Sequence, residues 1–220
     1  MPFDGQNNPA VFSQRVKTGK KALDDFPTPP WAAWSLCQTL GIRGGRCLEP
    51  AANRGWLVRG LTPFFDEVVG CDIKDYRADF PRRDFLGKGW EGEVGKFDWI
   101  ITNPPFIRGL DFFERAVALR PRCGVAMLLR TQWVEGAERY ARLFSKLPIK
   151  VCYFVERLAM IKGRFDPHAS TATSYSWFVY GKGEGNVWLP PGVRDAWMER
   201  HGSEFPSRRK RKRTKKSENF

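Results

Sequence analysis

Histidines and paired cysteines, from which many metal sites are built, are scarce in this sequence of 220 residues. There are two histidines, His168 and His201, and the five cysteines are odd in number and form no Cys-x-x-Cys pair. The cysteines are Cys37, Cys47, Cys71, Cys123 and Cys152. We therefore expect no metal site, and we expect reduced cysteines, most of them packed in apolar segments as small hydrophobic residues.

Long apolar runs are missing as well. A membrane-spanning helix needs about 20 consecutive apolar residues, and no segment of this chain approaches that length. The opening decapeptide MPFDGQNNPA has no apolar core of the kind found in secretory signals. These absences predict no membrane association and a cytoplasmic protein, nucleoid-associated if the host is bacterial.

Acidic residues are outnumbered, and the excess of positive charge is large. Lysine and arginine total 37 against 24 aspartate and glutamate residues, for a net charge of +13. Residues 208–216, with the sequence RRKRKRTKK, hold eight basic side chains, and subtracting these eight leaves +5 on the rest of the chain. An anionic polymer is the natural partner of such a chain, and composition alone leaves DNA and RNA open.

The apolar pattern divides the chain into three parts. Residues 1–20 are predicted to form a mobile arm, residues 21–202 the folded domain, and residues 203–220 a disordered basic tail. Helix-like stretches within the domain alternate with short apolar runs, which predicts a doubly wound α/β sheet whose last strand is antiparallel. The predicted strands are 46–49, 67–71, 97–102, 125–129, 151–155 and 174–180, and the predicted helices are 29–40, 55–64, 110–119 and 136–147.

The segment Asn103-Pro104-Pro105-Phe106 directly follows the predicted strand FDWIIT. Ligands of open α/β sheets bind at the carboxyl ends of strands. An aromatic amino group is a poor nucleophile, because its lone pair is delocalised into the ring. The Asn103 side-chain oxygen and the Pro104 carbonyl could accept its two hydrogens and free the lone pair. The two prolines would hold the turn stiff, and Phe106 could stack on an extruded base.

Other motifs surround this segment in sequence. They are DFPTPPW at 25–31, LEPAANRGW at 48–56, VVGCDIKDY at 68–76, Asp84-Phe85, and STATSYSWFVY at 170–180. In this order they resemble the motifs of the S-adenosylmethionine-dependent amino-methyltransferases, specifically the DNA adenine-N6 branch. Small phage and prophage enzymes are the most similar, and the resemblance extends from residue 25 to about residue 181.

The resemblance implies a Rossmann-like class I methyltransferase fold. In that fold a mostly parallel seven-stranded sheet with an antiparallel late strand carries helices on both faces. The implied reaction is direct in-line transfer of a methyl group from S-adenosylmethionine to the exocyclic amino group of adenine in DNA, which leaves S-adenosylhomocysteine. Positioning and electrostatic preorganisation would supply most of the catalysis.

Cofactor contacts also follow from the resemblance. Phe26 and Thr28 correspond to residues at the methionine end of the cofactor, and Glu49 to an acidic residue that orients the methionine amino group. Pro50 and Ala51 continue the same loop, where small side chains let the backbone approach the cofactor.

The glycine loop departs from the commonest family pattern. Asn53 replaces its first glycine, and we expect the turn to survive because asparagine tolerates left-handed backbone angles. Gly55 matches the second glycine. The remaining contacts implied by the family are Asp72 for the ribose hydroxyls, Asp84 and Phe85 for the adenine, and Asn103.

Contacts with nucleic acid are expected after the catalytic motif, where there is little room for a recognition domain. A short target or loose specificity is therefore expected. The basic segment 156–173 is predicted to be a mobile loop near the site, and the tail a nonspecific electrostatic anchor. Trp177 lies either at the target-base pocket or in the core. The candidate contacts are Arg130, Trp133, Arg157, Lys162, Arg164, Arg208, Arg209, Lys210 and Arg211.

The sequence is compatible with three functions. The first is methylation of adenine in DNA. The second keeps the chemistry on another planar nitrogen, in RNA adenine or a protein glutamine, although the charge of +13 argues against a protein substrate. The third is a nonenzymatic nucleic-acid-binding module that retains the fold, for which Asn53 is the visible hint.

Overall fold

A computed structural model describes residues 25–202. The predicted arm at 1–20 and basic tail at 203–220 lie outside the described residues, and so do Arg208, Arg209, Lys210 and Arg211. All the motifs from DFPTPPW onward fall within the described part.

Seven strands within residues 25–202 form one sheet. They are β1 (Arg46–Glu49), β2 (Glu67–Gly70), β3 (Trp99–Thr102), β4 (Gly124–Arg130), β5 (Ile149–Phe154), β6 (Tyr175–Tyr180) and β7 (Gly185–Leu189). The first six occupy the predicted positions to within two residues at each end. β7 was not located from the sequence, because its segment GNVWL is short, begins with glycine and asparagine, and is mostly exposed.

The described part of the chain also has five α-helices. They are α1 (Pro30–Leu40), α2 (Trp56–Leu61), α3 (Gly109–Ala118), α4 (Ala137–Arg139) and α5 (Val193–His201). α1 begins with two prolines and ends at Gly41, whose φ of 61° is left-handed, as the sequence pattern predicts. α4 continues as a π-helical turn over Tyr140–Phe144. α5 was not predicted from the sequence.

The strands run in the order β2-β1-β3-β4-β6-β5-β7. β6 is antiparallel to both of its neighbours, and the other pairs are parallel. The chain passes from β1 outward to β2 and then returns to the other side of β1 for β3. This reversal creates a switch point at the carboxyl ends of β1 and β3, where open α/β sheets bind ligands.

Alternating side chains of the strands enter two separate cores. In β3, Trp99 and Ile101 pack toward the side of α1, α2 and α5, whereas Ile100 packs toward the side of α3. Helices therefore cover both faces of a mostly parallel sheet, and the antiparallel late strand is present. The Rossmann-like class I methyltransferase fold is confirmed.

Candidate active site

A cavity of about 290 Å³ opens at the carboxyl ends of β1, β2 and β3. The loops that follow these three strands form most of its wall, and the DFPTPPW segment closes one side. Residues expected from the sequence that line it are Phe26, Thr28, Pro50, Ala51, Asn53, Asp72, Asp84, Phe85, Asn103, Pro104, Pro105 and Phe106. Lining residues that the sequence did not single out include Trp56, Tyr76, Arg108 and Phe112.

The Asn103 side chain is held at its nitrogen end. Its Nδ2 donates to the Thr28 hydroxyl over 2.8 Å and lies 3.4 Å from the Phe26 carbonyl oxygen, which can only accept. The Asn103 Oδ1 atom is buried and has no hydrogen-bond partner. A buried acceptor without a partner costs roughly 1–3 kcal/mol, so this oxygen is available for a donor brought by a ligand.

The turn after Asn103 is rigid and presents an aromatic ring. Pro105 accepts a hydrogen bond at its carbonyl from the Arg108 N–H over 2.8 Å, which closes a 3₁₀ turn at Phe106–Arg108. The Phe106 ring lies 5.9 Å from the Phe26 ring and 5.8 Å from the Tyr175 ring. Phe106 is therefore fixed at the mouth of the cavity as part of an aromatic group.

Arg130 lies beside this aromatic group at the end of β4. Its guanidinium carbon is 5.3 Å from the centre of the Phe106 ring, within the range of a cation–π contact. The side chain is exposed, so this predicted nucleic-acid contact lies next to the turn at 103–106.

Glu49 is a fully buried carboxyl group at the end of β1. Its Oε1 accepts hydrogen bonds from the Ala51 N–H and the Thr102 hydroxyl, and its Oε2 has no partner. Burial raises the pKa of Glu49 to about 8, although the two hydrogen bonds favour the charged form. A cationic group brought next to it would find a matched acceptor.

The Asn53 turn keeps the left-handed backbone expected of it, with a φ of 51°. Its N–H donates to Asp72 Oδ2 over 2.9 Å, and its side-chain nitrogen donates to Asp25 Oδ1 over 2.9 Å. Burial raises the pKa of Asp72 despite its hydrogen bonds from Lys74 and Asn53. Asn53 therefore ties the loops after β1 and β2 to the DFPTPPW segment, a role that glycine could not fill.

Asp25 is held by a second contact that the sequence did not suggest. Its carboxylate pairs with Arg54 at 2.7 Å. Burial would raise the pKa of Asp25, but the hydrogen bonds from Arg54 and Asn53 outweigh it and the pKa is lowered.

Close approach of Phe80 explains the glycine at position 55. Gly55 has a φ of 80°, and a Cβ placed on it would lie 2.9 Å from the Phe80 ring. A Cβ on Gly70, at the end of β2, would lie 2.6 Å from the same ring. The Phe80 ring therefore leaves no room for a side chain at either glycine, and Gly55 also has a backbone angle that favours glycine.

Asp84 and Phe85 close the far end of the cavity. Asp84 Oδ1 accepts from the Leu86 N–H, and its carbonyl accepts from the Trp90 indole N–H, each over 2.9 Å. Phe85 is buried, with its ring edge-on to Trp90 at 5.2 Å. The pair is thus fixed in the wall where the resemblance expects the cofactor adenine.

The segment 156–173 packs across the DFPTPPW side of the site, and we call it the strap. The Gly163 N–H donates to the Asp25 carbonyl over 2.7 Å, and the Phe165 ring stacks on Trp56 at 4.3 Å. Met160 is buried, with its sulfur 3.6 Å from Asn103 Nδ2. The strap therefore reaches the turn at 103–106, as expected of a loop near the cavity.

The basic residues of the strap differ in their surroundings. Arg157 donates to the Ala172 carbonyl, and Arg164 pairs with Asp166 at 3.5 Å, so both make contacts within the strap. Lys162 is exposed. Arg157 and Arg164 are exposed as well, so all three predicted phosphate contacts are accessible.

Two tryptophans lie in the core. Trp133 is 8% exposed and packs between Phe113 and Phe178, so its expected contact with nucleic acid is wrong: the turn after β4 directs its ring inward. Trp177 is fully buried, and its indole N–H donates to the Ala32 carbonyl over 3.1 Å. Of its two expected positions, the structure selects the core.

Residues 25–202 contain no cluster of three or more metal-ligating side chains. Within the same residues no helix is both long and apolar enough to cross a membrane. The five cysteines are free thiols, and all except Cys123 are buried.

Solved structures of other proteins are similar to this chain in fold. No family model and no curated protein sequence matches this chain. A dimethyladenosine transferase from Plasmodium falciparum is similar at 15% identity and a TM-score of 0.47, over 72% of this chain and 62% of that chain. A tRNA (m1A58) methyltransferase from Aquifex aeolicus is similar at 14% identity and 0.48, over 69% and 68%.

The branched-chain polyamine synthase of Thermus thermophilus is similar to the same degree. It shares 14% identity at a TM-score of 0.49, over 79% of this chain and 63% of that chain. This chain therefore spans less than two thirds of the length of two of the three. At such identities the likenesses concern the fold alone.

Proposed function

We propose that this protein transfers a methyl group from S-adenosylmethionine to the exocyclic amino group of adenine in DNA. The observation that carries the proposal is the buried, unpaired side-chain oxygen of Asn103, held at the start of a rigid proline turn at the switch point of the sheet. An unpaired acceptor is what an amine with two hydrogens would satisfy.

The cavity fits the proposed cofactor. Asp72 suits the ribose hydroxyls, and Asp84 with Phe85 suits the adenine. Glu49 does not line the cavity but directly precedes Pro50 and Ala51, which do, and its unpartnered oxygen would take the methionine amino group if a shift of that loop admitted it. Thr28 and Phe26 line the side nearest to Asn103. When bound, S-adenosylmethionine supplies a methyl group attached to a positively charged sulfur.

Asn103 and Pro104 prepare the substrate nitrogen. The Asn103 oxygen and the Pro104 carbonyl accept its two hydrogens, which draws the lone pair out of the ring and turns it toward the methyl group. Because Thr28 fixes the amide nitrogen, the oxygen is already oriented, and such preorganised polar groups account for much of enzymatic rate enhancement. The proton released after transfer passes to solvent.

Access to the Asn103 oxygen requires a local movement. The oxygen has almost no surface open to solvent, so a covering group must move before the amine can reach it. Met160 of the strap contacts the nitrogen end of the same amide, and its flexible side chain can follow such a movement.

An adenine must also leave the base stack to reach this site. Phe106 offers it a stacking surface inside the site. Ile107, the next residue, is 90% exposed and stands on the same 3₁₀ turn. Exposed apolar side chains can wedge between bases and stabilise an opened duplex, and we assign this role to Ile107.

Charge supports nucleic acid as the substrate, Phe106 suits a base, and the resemblance of the DFPTPPW motif favours the DNA branch. Arg130 is exposed beside the turn at 103–106, which we call the catalytic turn, and Lys162 is exposed on the strap. Both can contact phosphates there. The basic residues at 208–211, outside the described part, would add a nonspecific anchor. Such contacts position the polymer without specifying sequence, which agrees with a short or loose target.

Methyl transfer to three classes of substrate tests the proposal. Purified protein is incubated with labelled S-adenosylmethionine and DNA, RNA or a glutamine-containing protein, and the modified group is identified by mass spectrometry. The proposal requires N6-methyladenine in DNA. Transfer to RNA or protein alone would replace the substrate, and cofactor binding that cannot be detected by calorimetry would favour a nonenzymatic module.

A further inference from the structure

A second cavity, of about 390 Å³, lies beyond the strap from the catalytic turn. The ends of β5 and β7, helix α1 and the start of α5 form its walls together with the strap. Its lining is Trp31, Ser35, Phe154, Glu156, Arg157, Leu158, Ala169, Ser170, Thr171, Leu189, Pro190, Val193, Arg194 and Asp195. Its volume is within the range of small-molecule sites.

Two polar atoms of this lining are buried and have no hydrogen-bond partner, the Ser35 hydroxyl oxygen and Arg194 Nε. Ser35 is 2% exposed, so water does not compensate it from outside. Fewer than one buried polar group in ten lacks a partner in folded proteins. Arg194 Nε has Asp195 Oδ1 at 3.7 Å, beyond hydrogen-bond distance, and the rest of the Arg194 side chain is partly exposed. Both residues line the same cavity, which indicates a ligand that offers a hydrogen-bonding group to Ser35 and a closer acceptor to Arg194.

The other walls indicate the character of that ligand. Trp31, Phe154 and Leu158 are among the apolar walls. The charged residues of the lining are two acids, Glu156 and Asp195, and two bases, Arg157 and Arg194. Because these charges balance, the cavity does not favour an anion. A neutral, flat, aromatic group with polar edges matches the walls, and a nucleobase has this chemistry.

The second cavity is close to the catalytic turn. Leu158 lines the cavity, and Met160, two residues further along the strap, contacts Asn103. Two residues of chain span at most about 7 Å. A nucleotide next to a base held at Asn103 is therefore within reach of this cavity.

We infer that the second cavity binds a base adjacent to the methylated adenine and contributes the sequence preference of the enzyme. This inference rests on the proposed function. Arg194 Nε–H donates to a ring nitrogen or carbonyl of that base, the Ser35 hydroxyl bonds its edge, and the apolar walls hold its faces.

An abasic scan tests this subsite through binding, separately from methyl transfer. A series of oligonucleotides carries one target adenine, and each member has an abasic site at a different flanking position. Their affinities for the full chain are measured. At one or two positions next to the adenine, removal of the base should lower the affinity of the wild-type protein at least about fivefold. In the variants Ser35→Ala and Arg194→Lys that penalty should shrink to less than about twofold.

Matched variants separate this role from a structural one. Ser145→Ala and Arg200→Lys make the same changes outside the cavity and should keep the wild-type abasic profile. Ser35→Ala should leave the thermal midpoint unchanged or raise it, because it removes a buried group that has no partner. Equal profiles in wild type and the cavity variants, or no sensitive position, would overturn the inference. Methyl transfer to the intact oligonucleotide reports on the proposed function independently.

Discussion

The Thr28 hydroxyl accepts a hydrogen bond from the Asn103 side chain over 2.8 Å, although 75 residues separate them in sequence. This contact links the DFPTPPW segment to the turn that follows β3. It fixes the nitrogen end of the amide, so the oxygen end faces away and stays without a partner. The Asn103 oxygen is therefore a buried acceptor whose partner must be a donor brought by a ligand.

Thr28→Val should lower kcat by about five- to tenfold, because the valine has nearly the same shape but cannot hold the amide, a loss of about 1 kcal/mol. Thr28→Ser, which keeps the hydroxyl, should recover most of the activity. Steady-state kinetics on a DNA substrate would check both. Equal kcat values for the valine and serine variants would show that Thr28 does not position Asn103.

The buried Glu49 carboxyl should make the stability of the free protein depend on pH. Its pKa of about 8 in the folded state lies above the ordinary 4.5, so the fold favours the protonated form. The contribution of Glu49 to the free energy of unfolding is therefore fully present below about pH 4.5 and is lost as pH rises through 8. The loss is roughly 5 kcal/mol at most. Urea unfolding between pH 5 and pH 8.5 would measure this loss.

Glu49→Gln should flatten that dependence, since glutamine does not titrate. Glu135→Gln removes an exposed carboxyl and is the matched control, which should retain the wild-type slope. If wild type and Glu49→Gln lost stability in parallel over this range, another group would be responsible.

Cofactor binding should release a proton from Glu49 near pH 7. The free carboxyl is largely protonated there, and the ammonium of the bound methionine favours the charged form. The calorimetric binding enthalpy should therefore vary with the ionisation enthalpy of the buffer. Glu49→Gln should bind more weakly and show no such variation, and a buffer-independent enthalpy in wild type would argue against the contact.

Ile107→Ala should reduce methylation of duplex DNA more than that of single strands, by about fivefold in the ratio of the two rates. A single strand needs no wedge, because its bases are already accessible. Val94→Ala shortens another exposed aliphatic side chain on a different turn and should leave the ratio unchanged. A ratio unaffected by Ile107→Ala would remove the wedge from the mechanism.

Local patterns in the sequence predict most of the sheet and of the first cavity. β3, β4 and β6 are short, mainly apolar runs bounded by polar or turn residues, so their positions follow from hydrophobic pattern alone. The polar motifs come directly after strands, and parallel strands bring those ends together at one edge. This is why Asn53, Asp72 and Asn103, distant in sequence, line one cavity.

Long-range packing could not be predicted in this way. The strap is held by Phe165 on Trp56 and by Gly163 on Asp25, contacts that depend on the finished fold. Trp133 follows a strand as the site residues do, but its turn points inward, and an apolar pattern does not show that direction. β7 is a short edge strand defined mainly by its pairing with β5.

The most direct test of the mechanism is the rate of methyl transfer to adenine in DNA by Asn103→Ala, measured in single turnover with saturating cofactor. Loss of a preorganised polar group at a reacting atom costs about 3 kcal/mol, or at least a hundredfold in rate. We predict a fall of that size, with N6-methyladenine as the product of the wild-type enzyme. A rate within a few fold of wild type would contradict the account, because the unpaired oxygen would then have no part in the reaction.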